Sequence, residues 1–363
     1  MRLHAVLAVL PSLLLGASLA LAAPATPPTG PVALPSPEET LDADEPAVQE
    51  AAPDTSVPDD TAPRLTRRDL EAWLDGFMPY ALDRGDIAGA VVVVVKDGEV
   101  LLQKGYGWAD LAERTPVDPE QTLFRPGSVS KLFTWTAVMQ LVEQGKLDLD
   151  EDVNTYLDFE IPPREGEPVT LRHIMTHTAG FEEQIRGLIA SDPEDIVPLG
   201  EALKHWVPER IYAPGTTPAY SNYATALAGY IVERVSGQSF DDYIESKVLH
   251  PIGMRDSSFR QPLPPELLSR MSLGYAQASD GEPKPYEFIS LAPAGSLAAT
   301  GADMGKFMIA HLQDGRFGDA QLFSPETARQ MHSTATSTIG PLNKMMLGFY
   351  ETSINGHRAI AHG

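Results

Sequence analysis

The chain predicts an α+β fold, and three observations carry that prediction. A valine-rich pair of strands opens the folded part, apolar-faced helices fill its middle, and strand-like stretches return at its end. Elements grouped by type in this way belong to folds that pack helices against a sheet.

Each element has its own signal. Thr66 is placed to cap a first helix in which Leu70, Trp73, Leu74, Phe77 and Met78 fall on one apolar face. Ala88 to Lys96 follows, with five successive valines, then Asp97-Gly98, then a second Val/Leu-rich run from Glu99 to Tyr106. Asp-Gly between two such runs signals a two-residue hairpin, because the turn needs positive φ where glycine is cheapest. The unbroken valine run suggests a strand covered on both faces. Beyond Phe124 the chain becomes helical. Residues 131–144 put Trp135, Val138, Met139 and Val142 on one face, with Gly145 as a stop. Residues 223–236 do the same with Ala224, Leu227, Ala228, Ile231, Val232 and Val235, stopped by Gly237. Strand-like stretches return at Met346 to Tyr350 and at Ala359 to Ala361. There is no internal repeat.

Ahead of this part stand two segments of another kind. Arg2 and His4 precede an apolar stretch from Ala5 to Leu21, and Ala20-Leu21-Ala22 offers a small-x-small cleavage site. Residues 1–22 therefore read as a secretory signal, interrupted by Pro11, Ser12 and Gly16 and so unlike a membrane anchor. Residues 23–64 hold ten prolines and nine acidic side chains against one basic one. Such a stretch buries too little apolar surface to offset ordering and is expected to be a disordered spacer. The remainder, 65–363, is expected to be one domain of an exported protein, periplasmic or secreted. A formal net charge of −23 argues against nucleic-acid partners and anionic membrane surfaces, since both need basic patches. With no cysteine, disulfides, thiolate catalysis and Cys-ligated metals are excluded.

The chemistry begins at Gly127-Ser128-Val129-Ser130-Lys131, where a helix starts. Positions i and i+3 share a helix face, so Lys131 can touch the Ser128 hydroxyl. A serine is a weak nucleophile until a base or positive charge helps remove its proton, and burial lowers a lysine pKa enough to make it that base. A helix N-terminus adds positive potential at the same point. This is the S-x-x-K arrangement of penicillin-recognising enzymes, although the four residues alone equally fit a capping serine and a surface lysine. Tyr220-Ser221-Asn222 stands in a polar turn before the second helix. Tyr220 can act as base toward Ser128 and later as acid toward the leaving group, and Asn222 can hold substrate or fix Lys131. A helix-capping Asn beside a packed Tyr is the plainer alternative. The third constellation is His362-Gly363, at the end of an apolar stretch.

In this order the three resemble the active-site motifs of the class C β-lactamase and D-alanyl-D-alanine carboxypeptidase family. Long segments join them: Phe124 to Phe133, Gln140 to Leu149, Thr170-Leu171-Arg172-His173-Ile174-Met175-Thr176-His177-Thr178-Ala179-Gly180, His250-Pro251-Ile252-Gly253-Met254 and Ala294-Gly295-Ser296-Leu297. The resemblance spans residues 66 to 363. It implies a β-lactamase/transpeptidase-like fold, an antiparallel sheet flanked by helices plus a helical region, with the site between them. It implies acyl transfer through Ser128, with Lys131 and Tyr220 catalytic and the Ser128 amide as one oxyanion donor. Asn222, His362 and Gly363 would meet a small-molecule or peptide substrate, with no cofactor and no metal. Two departures qualify this. His362 stands where the family's β-lactamases carry lysine, and an imidazole is largely neutral at pH 7, which resembles the esterase and peptidase-like members. The chain also stops inside this motif, so it is expected to be a fragment lacking C-terminal strands and a closing helix. Membrane association would then come only through the missing region.

Other patterns carry less. His173 and His177 have a zinc-like spacing but lack the glutamate of a metalloprotease helix. Asp148, Asp150 and Asp152 imitate a calcium loop, yet Val153 stands where glycine is needed and Phe159 where glutamate is needed. No G-x-S-x-G elbow occurs. The expectation is a serine hydrolase acting on an ester, amide or D-amino-acid peptide, and the competing class is a non-catalytic binding or scaffold protein of the same fold.

Overall fold

A computed structural model describes residues 64–337 and 344–363. The stretch expected to be a signal, residues 1–22, and all but the last residue of the expected spacer, 23–64, lie outside the described residues.

Helix α1 (Arg67–Gly85) starts at Thr66, whose side chain accepts from the Asp69 N–H. Its buried stripe is narrower than the sequence suggests. Leu74 is buried, and Leu70, Met78 and Leu82 pack with it, a strict four-residue spacing. Trp73 and Phe77 lie roughly a quarter-turn off that stripe. They stack on each other at 5.0 Å and stay 60% and 45% exposed.

Strands β1 (Gly89–Lys96) and β2 (Glu99–Asp110) pair antiparallel, with a register shift at Val94/Val95. Asp97 and Gly98 both take positive φ, 54° and 82°, as the tight hairpin requires. Both faces of β1 are covered. Val92 and Val94 pack with the α1 stripe. Val91 and Val93 meet the Gly301–Leu312 helix, where Gly301 and Gly305 leave room for the valine methyls. Among the described residues β1 pairs on one edge only, and each of its residues remains half-buried.

The middle of the chain holds α2 (Lys131–Glu143), α3 (Leu171–Met175), α4 (Leu199–His205) and α5 (Asn222–Ser236). The expected one-sided face of α2 is a correction: every residue from Lys131 to Gln140 is buried. α2 runs through the middle of the largest apolar cluster, so Phe133 stacks on Phe307 at 3.9 Å while Trp135 is closed off on the other side. Gly145 stops the helix at φ 67°, where the Lys146 N–H returns to Leu141 O. Gly237 ends α5 at φ 71°.

The last sheet is antiparallel and joins Lys344–Met345, Tyr350–Ile354 and His357–Ala361. The stretch Met346 to Phe349 is a bend between strands, closed by the Met346 N–H on Phe349 O. Its apolar residues fill the core rather than extend a strand, with Met346, Leu347 and Phe349 buried. Gly348 has φ 93° and lies so close to the Trp135 ring that a side chain there would clash. The mixture of helices and antiparallel sheets is the α+β arrangement expected. No described helix is long and apolar enough to cross a membrane.

Candidate active site

Ser128 lies in the short 3-10 turn Gly127–Ser130 that leads into α2. Gly127 takes φ 56°, a conformation glycine tolerates. The Ser130 hydroxyl fixes the turn, donating to Gly127 O at 2.6 Å and accepting the Leu297 N–H at 3.2 Å. The Ser128 hydroxyl is thus half-buried at the start of a rigid helix, where first-turn N–H groups have no partner within the helix.

Lys131 is fully buried. Its Nζ donates to three oxygens: Ser128 Oγ at 3.0 Å, Asn222 Oδ1 at 2.8 Å and Ala294 O at 2.7 Å. Burial pulls its pKa down to about 7, against the opposing pull of the Glu183 carboxylate. Two of the three partners can only accept. A neutral amine therefore keeps its two hydrogens on Asn222 and Ala294, which turns its lone pair toward Ser128.

Tyr220 approaches from the other side and donates to Ser128 Oγ at 2.6 Å. As a residue it is 43% exposed, while desolvation at its hydroxyl holds the phenol up at about 12, with the Ser128 bond pulling the other way. The ring lies tilted against His177, with centroids 4.6 Å apart, and Lys131 Nζ lies 4.9 Å from its centroid. The backbone beside it is tied down by the Ala219 N–H on His177 O at 2.7 Å.

Asn222 is not a helix cap. Ser221 takes that role, accepting the Ala224 N–H at 3.1 Å, and Asn222 becomes the first residue of α5 with its amide free for the site. His362, at the end of the last strand, is 6% exposed. Burial and then the Lys131 charge bring its pKa down to about 4, so it is neutral at pH 7. No described side chain hydrogen-bonds His362 Nδ1, and Gly363 is exposed beside it. The structure brings Ser128, Lys131, Tyr220 and Asn222 into one hydrogen-bonded group. His362 is close enough to feel Lys131 electrostatically but makes no hydrogen bond to that group among the described residues.

Sequence reading missed three parts. Glu183 accepts both the Asn222 backbone N–H and its Nδ2, each at 2.8 Å. The Ala294 carbonyl holds Lys131. His177 backs Tyr220, and its own pKa is brought down to about 3 by burial and by the Lys131 charge. Glu183 and His177 sit in or just after the stretch ending at Gly180, but 39 residues separate Glu183 from its partner and no spacing rule joins them. A backbone carbonyl leaves no residue-type signal at all. The zinc-like spacing is also explained: His173 completes a capping box with Thr170, and α3 ends at Met175, so His177 is on no common helix face with it. Asp150 instead pairs with Arg172 at 2.6 Å, and Asp152 caps a 3-10 turn.

The chain is similar to several known proteins. A Bacillus subtilis (strain 168) protein named as penicillin-binding protein PbpX is 30% identical to the chain, over 71% of this chain and 61% of that one. The esterase EstB of Burkholderia gladioli is 35% identical, over 62% of this chain and 59% of the esterase. The chain thus spans less than two thirds of either relative. The structure of the octameric penicillin-binding protein homologue from Pyrococcus abyssi matches with a TM-score of 0.67 at 26% identity, covering 80% of this chain and 67% of that one. Residues 66–363 match the family described as Beta-lactamase, and the chain belongs to that family.

Proposed function

We propose that the chain is a serine hydrolase that forms an acyl-enzyme on Ser128, acting on an ester, amide or D-amino-acid peptide. One observation carries the reading. Ser128 Oγ lies within hydrogen-bond reach of a lysine whose pKa has come down to about 7 and a tyrosine whose pKa has gone up to about 12. Two groups driven apart in this way divide the work of base and acid.

Lys131, in its neutral form, takes the Ser128 proton as Oγ attacks the substrate carbonyl. Tyr220 is still protonated at neutral pH and hands its hydrogen to the leaving atom. The proton removed from Ser128 passes from Lys131 to restore the phenol, so acylation ends with both groups as they began. Water then adds to the acyl-enzyme, and the same groups in reverse return a proton to Ser128. The Ser128 amide supplies one donor to the oxyanion.

A neutral His362 offers no fixed positive charge to a substrate carboxylate, which favours esters and peptides over β-lactams. The amino-terminal signal and the proline-rich acidic spacer support export, with the folded part beginning near residue 65. Hydrolysis of p-nitrophenyl butyrate by the full chain tests the reading. Turnover by wild type and its loss in Ser128→Ala are expected, and equal rates in the two proteins would refute it.

A further inference from the structure

We infer that Glu183 is a positioning residue of this site: it sets the orientation of the Asn222 amide that holds Lys131 and, by its own charge, the protonation of Lys131. The inference rests on the reading of Lys131 as the base and goes beyond it to the group that controls the base.

The Glu183 carboxylate grips Asn222 at two points. Oε2 accepts the backbone N–H and Oε1 accepts Nδ2, both at 2.8 Å. An amide has two interchangeable-looking ends, and only one of them can accept from a lysine. With Nδ2 committed to a carboxylate that cannot donate, Oδ1 must face the other way, where Lys131 Nζ meets it at 2.8 Å. Had the amide turned over, Nδ2 would face an ammonium and Oδ1 a carboxylate, both repulsive. The grip also places a negative charge on the first N–H of α5, where the helix dipole favours it.

The same carboxylate acts on the lysine by charge. Among the described residues, the titratable side chains that face Lys131 are Tyr220, His177, His362 and Glu183. The phenol and both imidazoles are neutral at pH 7, so Glu183 supplies the negative charge that opposes the desolvation of the ammonium. Without it burial would drive the lysine further down, and its hydrogen bonds would lose their direction.

The test reads Lys131 itself, apart from turnover. In full chain carrying 13C-labelled lysine, the Lys131 Cε resonance is assigned by its absence from Lys131→Met and titrated by NMR. Glu183→Gln keeps an acceptor and removes the charge, and its Lys131 midpoint is expected to fall by about half a pH unit or more below wild type. Glu183→Asp keeps the charge but is too short to grip both groups. Its midpoint is expected to stay near wild type while ester turnover drops about tenfold. An unmoved midpoint in folded Glu183→Gln overturns the inference, as does a fall in Glu183→Asp equal to that in Glu183→Gln. Absence of ester turnover in wild type would count against the hydrolase reading alone, because the lysine titration does not depend on it.

Discussion

Replacing Lys131 by methionine should abolish activity and, at the same time, remove a pH-dependent burden on stability. The side chain is fully buried and its pKa is brought down from 10.5 to about 7. Between those values the unfolded chain holds a proton that the folded protein has released. Unfolding is therefore favoured by low pH across this window, and stability rises as pH climbs from about 7 toward 10.5. Each pH unit below the unfolded value adds about 1.4 kcal/mol, so the lysine costs about 4 kcal/mol at pH 7 and about 2 kcal/mol at pH 9. Methionine carries no such cost but leaves Asn222 Oδ1 and Ala294 O without their donor, about 1–3 kcal/mol each. The absolute stability of the variant is thus a near balance, whereas the pH dependence of the difference is not. Urea unfolding at pH 7, 8 and 9 should show wild type gaining about 2 kcal/mol on Lys131→Met across that range. A difference that does not change with pH would refute the buried, depressed lysine.

Three further outcomes follow from the same geometry. The ester-hydrolysis rate kcat/KM should rise about tenfold between pH 6 and pH 8, following the neutral fraction of a group of pKa near 7. A profile still climbing steeply above pH 9 would point to an unperturbed amine. Tyr220→Phe keeps the ring on His177 but loses the 2.6 Å bond to Ser128, so kcat should fall about 100-fold with the melting temperature little changed. Stability should also fall on acidification. His311 and His332 meet in the core at 3.2 Å, and burial holds His311 well below its ordinary value and His332 at about 4. Each imidazole gains a proton on unfolding between pH 6.5 and its folded value, a slope of up to about 1.4 kcal/mol per pH unit. Urea titrations at pH 6.5, 5.5 and 4.5 would contradict this if they superimposed.

The fold was legible wherever one local signal decides an element. Thr66, Asp97-Gly98, Gly145 and Gly237 mark boundaries that depend on backbone conformation alone, and those boundaries fall where the residues predict. Burial was less legible because it depends on what lies opposite. Trp73 and Phe77 satisfy a helical apolar pattern yet stay exposed, and α2 reads as one-sided although it is enclosed all round. The site divides along the same line. Ser128 and Lys131 are three residues apart on one turn, so their meeting follows from helix geometry. Asn222 was ambiguous until Ser221 was seen to cap α5 in its place. Glu183 and the Ala294 carbonyl reach the lysine only through tertiary packing, from 52 and 163 positions along the chain.

Active-site labelling shows whether Ser128 is a nucleophile activated by Lys131. The full chain is treated with a fluorophosphonate, and the modified residue is located by peptide mass spectrometry. A single adduct on Ser128 is expected, forming faster as pH rises through 7 and absent from Lys131→Met. No adduct, an adduct on another serine, or an unchanged labelling rate in Lys131→Met would contradict it.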